Sequence, residues 1–216
     1  MIIYYQQLLL TMNSKNIGES MIENAIRFHG HQCPGLAIGI RVSEVVLREL
    51  AKPARDEEMV AIVETDSCSV DAIQVLTGCT FGKGNLIYND FGKPVFTFIN
   101  RENNKAVRIS LNKDAFEMDE EHRSLFAKVQ NKTASEAQRE LFTQKHIKKS
   151  NEILDLPEKK LLIIKHVDLK PVQKARIHES QNCVVCNEPV METRVKLLNG
   201  EAHCIPCFEG LTQSKS

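Results

Sequence analysis

The chain has 216 residues, 42% of them hydrophobic and 26% charged, which is ordinary for a globular protein with one good-sized core and a small second unit. Lysine plus arginine and aspartate plus glutamate both number 28, so no net charge attracts the chain to nucleic acid or to an anionic membrane. No stretch approaches the roughly 18 apolar residues of a membrane span, and the apolar start lacks a cationic region and a cleavage site, which predicts a cytoplasmic protein.

The first part of the chain predicts an extension followed by two helices. Residues 1–16 precede the regular pattern and are assigned to an N-terminal extension, either upstream of a true start at Met12 or forming a short edge segment. Apolar side chains recur at helical spacing over residues 18–28 and again over residues 36–51. Pro34 suits the first position of the second helix and places Cys33 at or beside its N-cap.

His29, His31 and Cys33 alternate between these two helices. Residues i, i+2 and i+4 point to the same side of an extended chain, so these side chains can converge without help from distant sequence. Imidazole and thiolate are ligands that zinc, iron, copper and nickel prefer. The segment therefore predicts a metal site, and the alternative is that the three residues cap a helix and fill a gap beside a turn.

A second polar cluster follows the next predicted strand, at residues 59–63. A short helix is predicted over residues 70–76, with Asp66 or Ser67 as its cap. Cys68 then lies at a positive helix end, where the dipole lowers the pKa of a thiol.

The predicted core site binds a second transition metal through ligands drawn from His29, His31, Cys33 and Cys68. Of these, Cys68, His31 and Cys33 are the candidates for catalytic roles. If three residues ligate, a fourth position stays open to water or substrate, as catalytic metal sites require. Polar side chains that would orient the ligands or contact a substrate are Asp66, Asp71, Gln74 and Lys83. The alternative is a polar cavity without a metal.

Residues 78–85 have a weak similarity to a phosphate-binding loop. Three residues separate Gly78 from Gly82, Gly84 stands where a hydroxyl is needed, and the preceding element is a helix, so we reject a nucleotide P-loop. Lys83 is then either solvated in a glycine turn or contacts an anionic ligand. Cys79 is predicted to be a small packed residue.

The middle of the chain predicts strands followed by helices. Three strand-like runs predict an antiparallel meander, at residues 86–88, 95–99 and 107–111. Two helices with solvated charged faces are predicted next, over residues 113–129 and 134–149. Surface or linker roles are predicted for four lone histidines, which are His122, His146, His166 and His178.

The region after the helices predicts a domain boundary. Residues 161–164 form an apolar, strand-like run that either belongs to the core or pairs across a dimer. We assign residues 17–155 to the core, 156–180 to a linker and 181–216 to a second domain.

The second domain contains two CxxC pairs separated by 17 residues, the spacing of a four-thiolate zinc site. The predicted zinc ligands are Cys183, Cys186, Cys204 and Cys207. Asn199 and Gly200 predict a type I′ hairpin turn, and a helical turn is predicted after the second pair. Because four cysteines complete a tetrahedron, His203 is not needed as a ligand and the zinc is expected to be structural.

Together the two core segments resemble a known family. The runs FHGHQCPGLAIGIR (28–41) and ETDSCSVDAIQVLTGCTFGKGNLIYNDFGKPVFTF (64–98) are similar to the core domain of the family of formylmethanofuran dehydrogenase E subunits, which is related to methanogenesis. The resemblance covers about residues 20–130, with a separate match over 183–207. It implies an α+β core that dimerises, a metal-capable polar cavity and a treble-clef zinc finger. It does not imply the dehydrogenase reaction, because the chain lacks a ferredoxin-like cysteine run.

These observations predict an α+β protein, with helices packed on an antiparallel or mixed sheet and a small treble-clef finger. The leading function is a metal-binding protein with a metal-dependent redox or small-molecule activity at the core, or an accessory subunit of a larger oxidoreductase. The alternative is a dimeric ligand sensor or adaptor whose finger recruits a protein or nucleic-acid partner. Nucleic acid is disfavoured, because only Arg194 and Lys196 lie between the two CxxC pairs, without aromatic residues for stacking.

Overall fold

The protein has an α+β fold that divides into two compact units. The computed structural model describes residues 18–50, 53–113, 115, 117–169, 172–174 and 176–213. The first unit is Met1–Lys174 and the second is Ala175–Ser216. The N-terminal extension assigned to residues 1–16 lies outside the described residues.

The helices of the first unit are α1 (Glu19–His29), α2 (Pro34–Glu49), α3 (Ser69–Thr77), α4 (Glu120–Gln130), α5 (Glu136–Asp155) and the single turn α6 (Glu158–Leu161). Helix α4 begins seven residues later than predicted, because Asp119 is its N-cap and accepts a hydrogen bond from the backbone of His122 at 2.7 Å. Helix α5 extends beyond the predicted end at residue 149, and a capping box between Ser135 and Gln138 begins it. In the described part of the chain, no helix combines the length and the apolar run that a membrane crossing requires.

The strands of the first unit are β1 (Met59–Val63), β2 (Leu86–Tyr88), β3 (Val95–Asn100), β4 (Ala106–Leu111) and β5 (Leu162–Val167). Among the described residues they form one sheet in the order β2-β1-β3-β4-β5. Strands β1, β3, β4 and β5 pair antiparallel, whereas β2 pairs parallel with β1. The predicted meander is therefore wrong for β2, because the connection through α3 returns the chain along the same direction as β1.

The core of the first unit lies between α2 and one face of the sheet. Phe96 and Phe98 are fully buried there against Val42 and Val45 of α2. Helices α2 and α3 approach so closely that a Cβ atom added to Gly39 would lie 2.2 Å from the carbonyl oxygen of Ser69. A glycine is therefore required at this crossing to bring the start of α3 against α2.

The start of α2 is as predicted and the start of α3 is not. Pro34 is at the first helical position, and the Cys33 thiol accepts a hydrogen bond from the backbone of Leu36 at 3.4 Å. Helix α3 has Cys68 at its N-cap, and neither Asp66 nor Ser67 caps it. The Ser67 hydroxyl instead pairs with the hydroxyl of Ser69 at 2.7 Å.

The segment 156–180, expected to be a linker, contains part of the core sheet. Strand β5 pairs along its whole length with β4, and Leu161 and Leu162 are buried in the core. Of the apolar run, Ile163 is 44% exposed at the sheet edge. The Arg101 guanidinium then donates to the carbonyls of Val172 and Gln173, so the first unit continues almost to its boundary at Lys174.

The second unit consists of two hairpins and a helix. Its elements are β6 (Ser180–Asn182), β7 (Pro189–Met191), a 3₁₀ turn (Glu192–Arg194), β8 (Lys196–Leu198), β9 (Glu201–His203) and α7 (Ile205–Gln213). Strands β6 and β7 pair with each other, as do β8 and β9. Asn199 and Gly200 both have positive φ, at 54° and 84°, as the predicted type I′ turn requires. The treble-clef classification stays a prediction.

Candidate functional site

The chain between α1 and α2 brings His29, His31 and Cys33 together. One ligand atom from each of the three lies within 4.8 Å of the other two. His29 is the last residue of α1, and Gly30 follows it with a φ of 93°, which reverses the chain. The rings of His29 and His31 then stack with centroids 4.4 Å apart. The predicted convergence is present, although a helix end with a left-handed glycine produces it rather than an extended segment.

His29 is held in one orientation by contacts at both ring nitrogens. Its Nδ1 lies 2.7 Å from Oδ2 of Asp71 and its Nε2 lies 3.6 Å from Sγ of Cys33. Because a carboxylate only accepts hydrogen bonds, Nδ1 carries the proton and the lone pair of Nε2 faces the thiol. A nitrogen and a sulfur bound to one tetrahedral zinc ion are about 3.6 Å apart, so this pair already has the spacing of two ligands.

Cys33 is buried at the N-cap of α2. Its side chain is 3% exposed, and burial raises the pKa of the thiol to about 11, with the neighbouring Cys68 thiol adding to the effect. The apoprotein therefore keeps a neutral thiol at this position. A metal ion at the site would favour the thiolate, because metal-bound sulfur is deprotonated.

Cys68 lies beside the cluster but is not one of its three members. Its thiol is within hydrogen-bonding reach of Cys33, and a Cβ atom added to Gly35 would lie 3.0 Å from its Cβ. It is half-buried at the N-cap of α3, as predicted for a residue at a positive helix end. Its role as a ligand stays a prediction.

The turn that carries the cluster is anchored to α5 by Gln32. The Gln32 amide donates to the hydroxyl of Ser150 at 3.2 Å and to the amide oxygen of Asn151 at 2.6 Å. The sequence analysis did not identify these three residues, because isolated polar side chains 118 positions apart carry no local signal.

A cleft of about 280 Å³ opens next to the cluster, at the end of β1 and the start of α3. Its apolar wall comprises Val63, Val70 and Leu86, with Tyr88 at one side. Its polar wall comprises His29, Thr65, Asp66, Ser67, Cys68 and Asp71. His29 and Asp71 belong both to the cleft and to the hydrogen-bonded chain that ends at Cys33, so the cleft adjoins the cluster directly.

The four residues predicted to assist the site lie in two different places. Asp71 contacts His29, and Asp66 lines the cleft. The amide oxygen of Gln74 accepts a hydrogen bond from the backbone of Phe81, and the Lys83 ammonium donates to the carbonyl of Ala54 at 3.1 Å. These contacts organise the loop 78–85. Cys79 is fully buried, and its thiol lies 3.5 Å from the carbonyl of Met59, as expected for a packed residue.

Two of the histidines described as lone are paired. Nε2 of His122 lies 2.9 Å from Nδ1 of His146, and both rings contact the ring of Phe142. Burial lowers the pKa of His122 and of His146, and His31 contributes a further small electrostatic lowering of the pKa at His146. The prediction of surface roles is wrong for His122, which is 3% exposed, because α4 folds back over α5.

The four cysteines of the second unit form a complete metal-binding cluster. Their sulfur atoms all lie within 4.8 Å of one another, and Cys186 and Cys204 are 3.9 Å apart. Two sulfurs bound to one zinc ion are separated by about 3.8 Å. The backbone amides of Cys186 and Cys204 lower the pKa of Cys183 to about 6, which favours a thiolate. Nδ1 of His203 donates to the carbonyl of Glu201 at 2.9 Å, as expected for a residue that is not a ligand.

Comparison with known proteins matches both units. Residues 28–163 match the family described as "FmdE, Molybdenum formylmethanofuran dehydrogenase operon", and residues 178–213 match the "Prokaryotic dksA/traR C4-type zinc finger". A "Probable S-adenosyl-L-methionine-binding protein" of Archaeoglobus fulgidus is 33% identical over 195 residues, which cover 87% of this chain and 52% of that protein. The chain thus spans about half the length of this curated relative.

A solved structure has the same fold. It is a tungsten formylmethanofuran dehydrogenase FmdE-like protein from Syntrophus aciditrophicus, with 24% sequence identity and a TM-score of 0.58. The match covers 92% of this chain and 98% of that chain.

Proposed function

The chain belongs to the FmdE family and carries a C4-type zinc finger, and on this premise we propose that its core binds one further transition metal through His29, His31 and Cys33. The observation that carries the proposal is the environment of His29, whose two ring nitrogens contact a carboxylate and a thiol. A carboxylate that orients a metal-binding imidazole is the usual arrangement around protein metal sites.

The two clusters differ in the number of ligands that they offer. The finger supplies four thiols, which fill a tetrahedron, whereas the core cluster supplies three groups and adjoins a cleft. When bound, an ion at the core supplies Lewis acidity or, for a redox-active metal, an electron, at the position that the protein leaves open. Asp71 holds the His29 proton at Nδ1, and the cleft holds a small molecule against the site.

Metal stoichiometry tests this proposal. Full-length protein purified without oxygen and reconstituted with cobalt(II) should bind two equivalents per chain, each with its own absorption spectrum. His31→Ala and Cys33→Ala should each reduce the content to one equivalent, retained by the finger. The matched control is Cys186→Ala, which should remove the finger equivalent and leave the core one. A wild-type protein with one equivalent that His31→Ala does not reduce would refute the core site.

A second candidate is thiol chemistry without a metal. Cys33, His29 and Asp71 have the order of nucleophile, base and orienting carboxylate found in cysteine hydrolases. Burial of Cys33 and its raised pKa of about 11 oppose this candidate, because a nucleophilic thiol is exposed and has a lowered pKa. Rapid alkylation of Cys33 by iodoacetamide in the folded apoprotein would favour thiol chemistry over the metal.

The name of the archaeal relative suggests S-adenosyl-L-methionine as a ligand. A cleft of about 280 Å³ lies below the roughly 300 to 1,000 Å³ of pockets that enclose drug-sized ligands. We therefore propose a smaller ligand for this chain, whose length corresponds to about half of that relative.

We also propose that the chain forms a homodimer, which rests on the family resemblance. The apolar run that first suggested it gives less support, because Leu161 and Leu162 are buried within the chain and Ile163 is half-exposed at the edge. Sedimentation at micromolar concentration should give about twice 24.5 kDa. A mass near 24.5 kDa would contradict the dimer.

A protein partner for the finger is the remaining proposal. Val184, Val185 and Leu197 are more than half exposed on the finger and offer apolar contacts. Replacing Val185 and Leu197 by serine should abolish capture of such a partner while leaving the metal content of both sites unchanged.

A further inference from the structure

The cleft beside the core cluster carries acidic groups without a matching cation. Asp66 and Asp71 line it, and its described lining residues include neither lysine nor arginine. From this distribution we infer that the cleft selects a small ligand with a cationic or neutral hydrogen-bond-donating head and an apolar body, and that it excludes phosphates and carboxylates. The inference rests on the proposed function, because the ligand would lie against the core metal site.

Two cations near this end of the sheet are already neutralised or engaged. Arg108 pairs with the buried carboxylate of Glu64, the residue directly after β1, with a shortest contact of 2.5 Å. The Lys83 ammonium is bound to the carbonyl of Ala54. Neither side chain therefore offers its charge to an anion in the cleft, and the nearest fixed charges that a ligand meets are carboxylates.

The charge of the metal ion does not reverse this preference. A divalent ion at the cluster would be balanced by the Cys33 thiolate and by the Asp71 carboxylate that contacts His29. Asp66 then remains as an uncompensated negative charge on the cleft wall. Asp66 is exposed, so its effect is screened by salt but extends over the mouth of the cleft.

The size and walls of the cleft limit the ligand further. A volume of about 280 Å³ with Val63, Val70 and Leu86 on one side suits a short apolar body. Thr65 and Asp66 on the other side can accept hydrogen bonds from a head group. A short amine or a neutral amide or alcohol fits these walls, and a phosphorylated compound does not.

The half-buried thiol of Cys68 on the cleft wall permits a direct test with charged reagents. A methanethiosulfonate transfers its thioalkyl group to a thiolate, so that a protein disulfide forms and methanesulfinate leaves with the bonding electron pair of the broken S–S bond. The probes are the trimethylammonium-ethyl, hydroxyethyl and sulfonatoethyl reagents, applied to full-length protein with zinc in the finger and no core metal. Peptide mass spectrometry measures the rate at Cys68, and free cysteine corrects for intrinsic reactivity.

We expect the cationic reagent to modify Cys68 about tenfold faster than the anionic one after this correction, as two nearby carboxylates would require. Asp66→Asn should reduce the ratio to about threefold, and the matched control Asp168→Asn, outside the cleft lining, should leave it unchanged. A corrected ratio near one, or a ratio that Asp66→Asn does not alter, would overturn the inference. Failure of the neutral reagent to modify Cys68 would also overturn it, since the cleft would then not admit a molecule of this size.

This experiment is independent of the core metal. The cobalt stoichiometry reports on the metal site alone, whereas the modification ratio reports on the charge and size of the cleft in metal-free cores. Loss of the second cobalt equivalent with a preserved ratio would refute the proposed metal site and retain the charge selectivity. Two cobalt equivalents with a ratio near one would do the reverse.

Discussion

The finger and the core cluster both combine thiols near helix ends, but they are supported in different ways. In the described part of the finger, the buried residues are Cys183, His203 and Cys204. The core cluster instead adjoins a unit with a large buried apolar interior, which includes Phe96 and Phe98. The finger therefore has little apolar burial to stabilise it, whereas the core can fold without a metal.

This difference separates a metal that maintains a fold from one that is available for chemistry. A structural ion must have all its positions filled by protein, as the four finger cysteines allow. An ion on an independently stable scaffold can keep a position open, because the scaffold and not the ion holds the ligands in place. Asp71, Gln32 and the N-cap of α2 provide that support at the core.

The largest expected effect is on the finger. Cys204→Ser should unfold it, because structural zinc contributes roughly 10 to 16 kcal/mol of apparent binding free energy to such domains. Hydrogen exchange should show loss of protection in β6–β9, with protection in β1–β5 retained. Protected finger amides in this variant would contradict the view that the metal substitutes for a core.

The next effect concerns the scaffold of the core cluster. Gly39→Ala should lower the free energy of unfolding of the first unit by about 3 kcal/mol, because the new methyl group would lie 2.2 Å from the Ser69 carbonyl and force α2 and α3 apart. Urea unfolding followed by circular dichroism measures this change. Gly82→Ala is the control, since its added Cβ has no neighbour within 4 Å and its cost should be small. Equal stability of the two variants would count against the close helix crossing.

A smaller effect is expected at the core metal itself. Asp71→Asn should weaken metal binding about 10- to 100-fold without changing the thermal midpoint, because the amide no longer holds His29 as a carboxylate does. Competition with a chromophoric chelator measures the affinity. Asp66→Asn removes the same charge from the same cleft without contacting His29, and its affinity should stay within about threefold of wild type. Similar losses in both variants would indicate a general charge effect and not orientation of His29.

The smallest effect is a pH dependence of the first unit. Burial lowers the folded pKa of His122 below the ordinary value of 6.5, so the unfolded chain binds more protons between these two values. The stabilisation is complete above about pH 6.5 and is lost as the pH falls through the folded pKa. Thermal midpoints between about pH 5 and 7.5 should show this decrease, and His122→Leu should remove part of it. The exposed His166→Gln is the control, and an unchanged pH dependence in His122→Leu would refute the role of the pair.

Local patterns in the sequence predicted the elements and the two clusters. Helical periodicity located the first two helices, and Pro34 correctly placed Cys33 at an N-cap. The spacing of the CxxC pairs predicted the finger cluster, and Asn199 with Gly200 predicted its turn. These features depend on residues a few positions apart, whose geometry the backbone period determines.

Tertiary structure alone decided the contacts that give the core cluster its chemistry. Asp71 reaches His29 across 42 positions, Gln32 reaches Ser150 across 118, and His122 pairs with His146 across 24. The parallel pairing of β2 with β1 and the place of β5 at the sheet edge likewise follow from the chain's path around α3 and α5. Such contacts form because burial of the shared core brings distant segments together, and no local period in the sequence records which polar side chains then meet.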